Sequence, residues 1–405
     1  MAKLILVTGA TGYIASRLIP RLLDSGYRVR CLARDPLRLQ GRSWFNKIEV
    51  FQADVSNAST LTHAFDDVDT AYYLIHNMSY GHGYTSLELE SARNFAQAAE
   101  TAQIQHIIYL GGLADPEQAI APHMRSRIET GKVLRTGKVP VTEFRAGVIT
   151  GSGSISFEMI RFMTELCPIV PGPLWMKNKS QPIAIQNVID YLVAALENKN
   201  GQGQVFEVGG PEITTYKDLM LRYARTRGLK RNMVLIPGVP ISFMAFGVGL
   251  MTPVPYSIAY ALIGGLSADS IVKYPEVLNV FPEVKLIDFD TATKDALTKT
   301  EPSYIERVWD TTKERTQFIK HEGCFILHSK KKIAAKPIEM LRETHNTPFG
   351  DQWVELHIKD SFLSQTIFFA PHGMLGFLYW YCSMPFHHLR FRGLIGDIKR
   401  QNKQQ

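Results

Sequence analysis

The chain has 405 residues, 45% of them hydrophobic, a formal net charge of +7 and four cysteines. That length exceeds one typical domain, and the hydrophobic share supports a sizeable core. So modest a charge does not imply nucleic acid, and the widely spaced Cys31, Cys167, Cys324 and Cys382, with no C-x-x-C pair, indicate neither a metal cluster nor a disulfide framework. Met1 leads directly into a strand without the charged and apolar regions of a signal peptide, which predicts a cytoplasmic protein.

Leu4 to Val7 is an apolar run bounded by glycine and reads as a buried parallel strand. Gly9, Gly12 and Ala15 follow at the spacing G-x-x-G-x-x-A, after which the pattern turns helical. Gly9 permits the tight strand-to-helix turn, Gly12 lets a pyrophosphate approach the backbone, and Ala15 lets the helix pack on the strand. The helix N-terminus offers free N–H groups to the anion. In this context the triplet predicts a nicotinamide dinucleotide site that includes Thr11, Tyr13 and Ile14. Tyr27 to Ala33 reads as a second strand ending at Arg34-Asp35-Pro36. An arginine at this strand end holds the 2′-phosphate of NADP, whereas an acid accepts from the 2′-OH of NAD. Arg34 favours NADP(H) over NAD(H), and Asp35 complicates the choice.

Ile48 to Ala53 is a third strand, followed by Asp54 and Val55 where the adenine would lie. Ser59 to Phe65 reads as a helix. Thr70 to Ile75 is the fourth strand, which brings Leu74 and His76 to the cofactor. Leu87 to Ala102 is an amphipathic helix, His106 to Leu110 a strand running into Gly111-Gly112, Arg125 to Leu134 a helix and Val141 to Ile149 the sixth strand. This alternation predicts a doubly wound parallel sheet of the α/β class.

These landmarks resemble the short-chain dehydrogenase/reductase superfamily, and more closely its atypical branch of NmrA-like and YbjT-like NAD(P)-binding proteins. The resemblance is carried by Val7 to Ile14, Ala33 to Pro36, Asp54-Val55, His123 to Arg127 and Phe144 to Ile149. It continues through Pro182-Ile183 and Gly203 to Glu212. It covers about three quarters of the chain and implies a Rossmann core over residues 1–150 and a small substrate lobe over 151–300. The implied activity is an oxidoreductase acting on an apolar carbonyl, enone or quinone-like small molecule. The departure is chemical. No Tyr-x-x-x-Lys pair, the usual proton relay, occurs in the sequence, and His123-x-x-x-Arg127 stands in its place. His123 is then the candidate acid or base and Arg127 a ligand of the cofactor ribose or phosphate, while Gly111 stands where the polarising serine would be. Tyr80, His82 and Tyr84 are weaker candidates. The missing pair keeps open a non-catalytic NADP(H) redox sensor or a membrane-associated assembly or scaffold protein.

In the second lobe Pro171-Gly172-Pro173 reads as a loop, Ile185 to Glu197 as a helix and Gln204 to Val208 as a strand. Thr215 to Arg227 reads as a helix capped by Thr214 or Thr215. Asn232 to Ala268 carries no charged residue, but Pro237, Pro240, Pro253 and Pro255 divide it. It is expected to line a pocket rather than span a membrane. Phe281 to Thr300 closes the lobe as a helix, and residues 301–320 read as a linker. Residues 321–405 read as a reduced C-terminal α+β domain. Its expected strands are Cys324 to His328, Trp353 to Lys359 and Phe362 to Phe369, with helices over Pro337 to Thr344 and Gly373 to Gly396. This tail resembles a domain of unknown function, shortened between Glu339 and Asp351. The segment 373–400 is expected to pack on the sheet, with peripheral membrane contact or a homodimer surface as alternatives.

Overall fold

The structure, a computed structural model, describes residues 2–76, 84–118, 120–251, 254, 256–299, 304–305, 314–321, 323–333 and 337–401. Tyr80 and His82 lie outside them. Strands β1 (Leu4–Val7), β2 (Arg28–Ala33), β3 (Glu49–Gln52), β4 (Thr70–Tyr73), β5 (His106–Gly112), β6 (Val141–Ala146) and β11 (Val205–Val208) form one parallel sheet. Its order is β11-β6-β5-β4-β1-β2-β3. Strand β1 shows why every residue of the run is apolar. Ile5 and Val7 enter the layer beneath helices α1 (Tyr13–Asp24) and α5 (Ile185–Ala194), and Leu4 and Leu6 the layer beneath α2 (Tyr84–Thr101). The strand order reverses between β1 and β4, so a crevice opens outside their carboxyl ends. This is a Rossmann-like NAD(P)-binding fold.

Four expectations fail locally. The helix expected over Phe281 to Thr300 begins only at Phe289, after the cap that Asp288 supplies. Ser59 to Phe65 holds only a 3-10 turn, Ala58–Leu61, capped by the Asn57 side chain. The strand at Val205–Val208 joins the main sheet beside β6 instead of the lobe, because that edge would otherwise be bare. Pro171 to Pro173 are not loop but part of β8 (Ile169–Pro173), which pairs with β13 (Asn232–Ile236) as a two-stranded ribbon where prolines are tolerated.

The second lobe adds two more ribbons, β7 (Ile149–Thr150) with β10 (Ile183–Ala184) and β9 (Lys179–Ser180) with β12 (Thr214–Thr215). Its helices are α4 (Ile155–Leu166), α6 (Tyr216–Thr226), α7 (Ile241–Met251), α8 (Tyr256–Gly265), α9 (Val277–Val280) and α10 (Phe289–Thr298). Thr215, not Thr214, caps α6 by accepting from Asp218 N. The uncharged run folds into β13, α7 and α8, and among the described residues no helix is long and apolar enough to cross a membrane.

The C-terminal sheet is antiparallel with five strands, β14 (Thr316–His321), β15 (Cys324–Lys332), β16 (Ile338–Thr347), β17 (Gly350–Lys359) and β18 (Phe362–Pro371), in the order β14-β15-β18-β17-β16. Two strands were missed. β14 falls in the expected linker, and β16 occupies the expected helix at 337–344. The helix-forming residues of β16 yield to pairing with β17, including Arg342 opposite Glu355, and its exposed charged side chains suit an edge strand. Helix α11 (Gly373–Gln401) packs Phe377 and Trp380 onto Phe325 and Phe369 of this sheet. Phe162 and Leu166 of α4 enter the same cluster and join the two sheets' domains.

Candidate functional site

The turn after β1 is built for close approach. Gly9 has φ +64°, and a Cβ there would sit 2.7 Å from the Leu74 carbonyl oxygen. Gly12 donates to the Gly9 carbonyl at 2.7 Å, and its own Cβ would meet that oxygen at 3.0 Å. Gly12 is the N-cap of α1 and supplies no side-chain cap, so the first N–H groups of the helix are left for an anion. Thr8 holds the crevice together by donating its hydroxyl to the Tyr72 carbonyl at 3.0 Å and accepting from Leu74 N at 2.9 Å.

A cleft of about 580 Å³ runs from this turn along the ends of β2, β3 and β4. Gly9, Thr11, Gly12, Tyr13, Ile14, Arg34, Asp54, Val55, Leu74 and His76 all line it. At its far end Asp35 does not compete with Arg34. Its carboxylate accepts from Leu37 N at 3.2 Å and caps a 3-10 turn over Pro36–Leu39. That turn brings Arg38 to the cleft beside Arg34. Behind the glycine turn the buried Arg42 donates to the Thr11 carbonyl at 3.3 Å. Asp54 is folded into its own turn, accepting from the Ser56 N–H and hydroxyl. Ser91 also lines the cleft, and its buried hydroxyl has no hydrogen-bond partner among the described residues.

At the inner end, His76 sits in a polar network. Arg127 Nε donates to His76 Nε2 at 3.2 Å, so Nδ1 carries the ring proton and donates to Glu88 at 2.7 Å. Glu88 is buried and also accepts from the Ser126 hydroxyl. Burial, then the neighbouring Arg127 charge, pushes His76 down to about 4 despite Glu88. Burial alone would raise Glu88, yet His76, Ser126 and Arg127 hold it below the usual carboxylate range. His76 is therefore a neutral, oriented imidazole with both nitrogens engaged.

His123 and Gly111 do not line the cleft, although His123 lies near enough to Arg127 and His76 to feel their charges. His123, 4% exposed, faces α8, where a Cβ on Gly265 would stand 3.1 Å from its Nε2. Burial first, then Arg127 and His76, pushes it down to about 3. The double glycine ending β5 has a packing reason. A Cβ on Gly112 would meet Met124 Cε at 2.7 Å and Arg127 Cδ at 3.0 Å, so glycine lets α3 (Pro122–Leu134) lie against the strand. At Gly111, the position of the expected serine, a Cβ would press on the Tyr109 ring at 3.1 Å and on the Glu143 carboxylate at 3.3 Å.

A second cavity, about 90 Å³, lies in the lobe among α4, α6, α7 and α8. Met159, Met163, Trp175, Met220, Met244 and Val248 are among the residues of its wall. The uncharged run thus lines a pocket, as expected from its prolines.

Residues 1–242 match the NmrA-like family. The chain belongs to this family. Residues 309–394 match a family described as a protein of unknown function (DUF2867). Among curated proteins, the chain is 26% identical to a (4-alkanoyl-5-oxo-2,5-dihydrofuran-3-yl)methyl phosphate reductase of Streptomyces griseus, over 64% of this chain and 85% of that one. It is 25% identical to the photosystem II assembly factor Ycf39 of Cyanophora paradoxa, over 59% of this chain and 73% of that one. Among solved structures, the Citrobacter sp. triphenylmethane reductase complexed with NADP(H) superposes with a TM-score of 0.59 at 19% identity, over 72% of this chain and 99% of that one.

The NmrA-like domain therefore brings together ten of the expected cofactor residues in one cleft and joins Arg127 to it through His76, while His123 and Gly111 do not line it. Sequence reasoning missed Thr8, Arg38, Glu88 and Ser91. Arg38 had a readable signal, since Asp35-Pro36 is an N-cap followed by proline, which turns the chain back toward Arg34. Glu88 and Ser126 met only through the packing of α2 on α3, which leaves no local mark.

Proposed function

We propose that the cleft binds NADP(H) and that the chain is a reductase of an apolar carbonyl, enone or quinone-like molecule. One observation carries the first half. Glycines whose Cβ atoms would collide with backbone and a pair of arginines, Arg34 and Arg38, line the same cleft. The Gly9–Tyr13 turn and the start of α1 would hold the diphosphate, Arg34 and Arg38 the 2′-phosphate, and Asp54 and Val55 the adenine side. His76 and Arg127 would orient the nicotinamide ribose. Bound NADPH supplies a hydride donor. The chain's own contribution is to bind and orient, and the methionine-rich cavity of the lobe favours an apolar acceptor. Without a Tyr-x-x-x-Lys pair, the acceptors that suit this site are those whose reduced form takes its proton from water. The similarity to two reductases supports this reading.

A second reading, nucleotide binding without turnover in a redox sensor or assembly protein, is favoured by the two histidines. His76 has both nitrogens engaged, and His123 is buried and does not line the cleft. Similarity to an assembly factor supports it.

Calorimetric titration with NADPH, NADP+, NADH and NAD+ tests the binding, and an acceptor screen then tests the turnover. NADPH is expected to bind at least about tenfold tighter than NADH, a preference lost in Arg34→Ala. Binding of none of the four overturns both readings. NADPH binding without oxidation by any apolar enone or quinone leaves only the second.

A further inference from the structure

Helix α11 has two apolar faces. The inner one, with Phe377, Trp380 and Phe391, is buried against the C-terminal sheet. On the opposite side Leu375, Leu378, Cys382, Phe386 and Leu389 recur at helical spacing in one stripe. Four of these are large and open to solvent, Leu375 61%, Leu378 56%, Phe386 70% and Leu389 58% exposed. A surface helix that is apolar on both sides is covered by something in use.

We propose that this outer stripe docks the protein on an anionic lipid surface. The charge pattern decides the occupant. From Gly373 to Leu389 there is no aspartate, glutamate, lysine or arginine. The positions beside the stripe carry Met374, Tyr379, Tyr381 and Pro385, so a helix-pairing partner, including a second copy, would find no flanking charges to set its register. Tyr379 stacks on Phe349 of the domain, and the exposed Tyr381 beside the apolar stripe suits a headgroup boundary. The exposed Arg390, Arg392 and Arg400 follow the stripe, against a single acid, Asp397. That pairing of apolar insertion with cations is the recognition chemistry of an acidic bilayer. Helix α7 adds a second exposed apolar patch, Phe243 and Phe246. Both helices pack on α4, α7 against Met159 and Met163 and α11 against Phe162 and Leu166.

The test is sedimentation of the full chain with vesicles of phosphatidylcholine alone and of phosphatidylcholine mixed with phosphatidylglycerol, beside light scattering of the free protein. The expected result is binding to the anionic vesicles. The double change Leu378→Glu/Phe386→Glu should weaken it at least about tenfold, and Arg390→Glu/Arg392→Glu should also reduce it. The four substituted positions, Leu378, Phe386, Arg390 and Arg392, are exposed, so the circular dichroism and unfolding midpoint of the variants should match the parent. Absence of vesicle binding, binding equal on neutral and anionic vesicles, or binding unchanged in the double variant overturns the proposal. So does a dimer that Leu378→Glu/Phe386→Glu dissociates while vesicles are ignored.

Discussion

Arg127 donates from Nε to Nε2 of His76 across 3.2 Å, from a helix to the segment that follows β4, 51 residues earlier. The bond sets the tautomer, and the guanidinium charge helps hold the imidazole neutral. With Arg127→Leu the donor and the charge both go, while Glu88 stays 2.7 Å from Nδ1 as an acceptor that favours the protonated ring. His76 is expected to titrate at least about one unit higher than in the parent. Proton NMR titration of the ring resonances, assigned with His76→Asn, measures this. An unmoved titration would show that burial alone controls the imidazole.

Two further histidines are held neutral inside the fold. Burial pushes His106 down to about 4, and burial followed by Arg127 and His76 pushes His123 down to about 3. The unfolded chain binds more protons than the native one wherever the pH is below the unfolded value of about 6.5 and above these native values. Stability should therefore be fullest above that range and fall as the pH drops through it. By pH 5 the loss is about 2 kcal/mol for each residue. Urea unfolding at pH 7 and pH 5 gives the slope, and His123→Gln should flatten it. A slope unchanged by that substitution would contradict a neutral native His123.

The glycine turn and the sheet were legible because their signals are local. Leu4 to Val7 had to be apolar to face two core layers, and Gly9 had to be glycine for its positive φ. What misled was tertiary. His123 occupies the position of a catalytic tyrosine in the resemblance, yet α8 with Gly265 covers it, and nothing near residue 123 announces that contact. Ile338 to Thr347 has helix-forming side chains, but the register with β17 makes it a strand. Asp35 looked like a rival to Arg34 until its carboxylate was found on Leu37 N.

Gly9→Ala examines the cradle without removing any polar group. The added Cβ would lie 2.7 Å from the Leu74 carbonyl oxygen on a backbone with φ +64°. Strain of this kind costs about 1–3 kcal/mol and is relieved only by moving the turn away from β4. The expected outcome is a lower urea midpoint together with loss of dinucleotide binding in calorimetry. Full stability with full binding would mean that the turn is not held against Leu74.

The two domains meet at a cluster of aromatic rings. Trp380 is fully buried, stacked on Phe325 at 5.6 Å and Phe369 at 5.4 Å. Phe325 also meets Phe377 edge-on at 5.5 Å, and Phe377 meets Phe162 of α4 in the same way at 5.5 Å. The chain of rings runs from the C-terminal sheet into helix α4 of the second lobe. Trp380→Ala should cost about 3–5 kcal/mol, as large aromatic truncations in a core do. Phe162→Ala empties the other end of the same cluster, so its cost should not add simply. A double-mutant cycle by urea unfolding is expected to show coupling above about 0.5 kcal/mol. If the C-terminal domain were independent of the lobe, Phe162→Ala would leave the tryptophan fluorescence transition of the C-terminal domain unmoved, and the coupling would be nil. The ring contacts predict that it moves, because α4 supplies one wall of the core in which Trp380 sits.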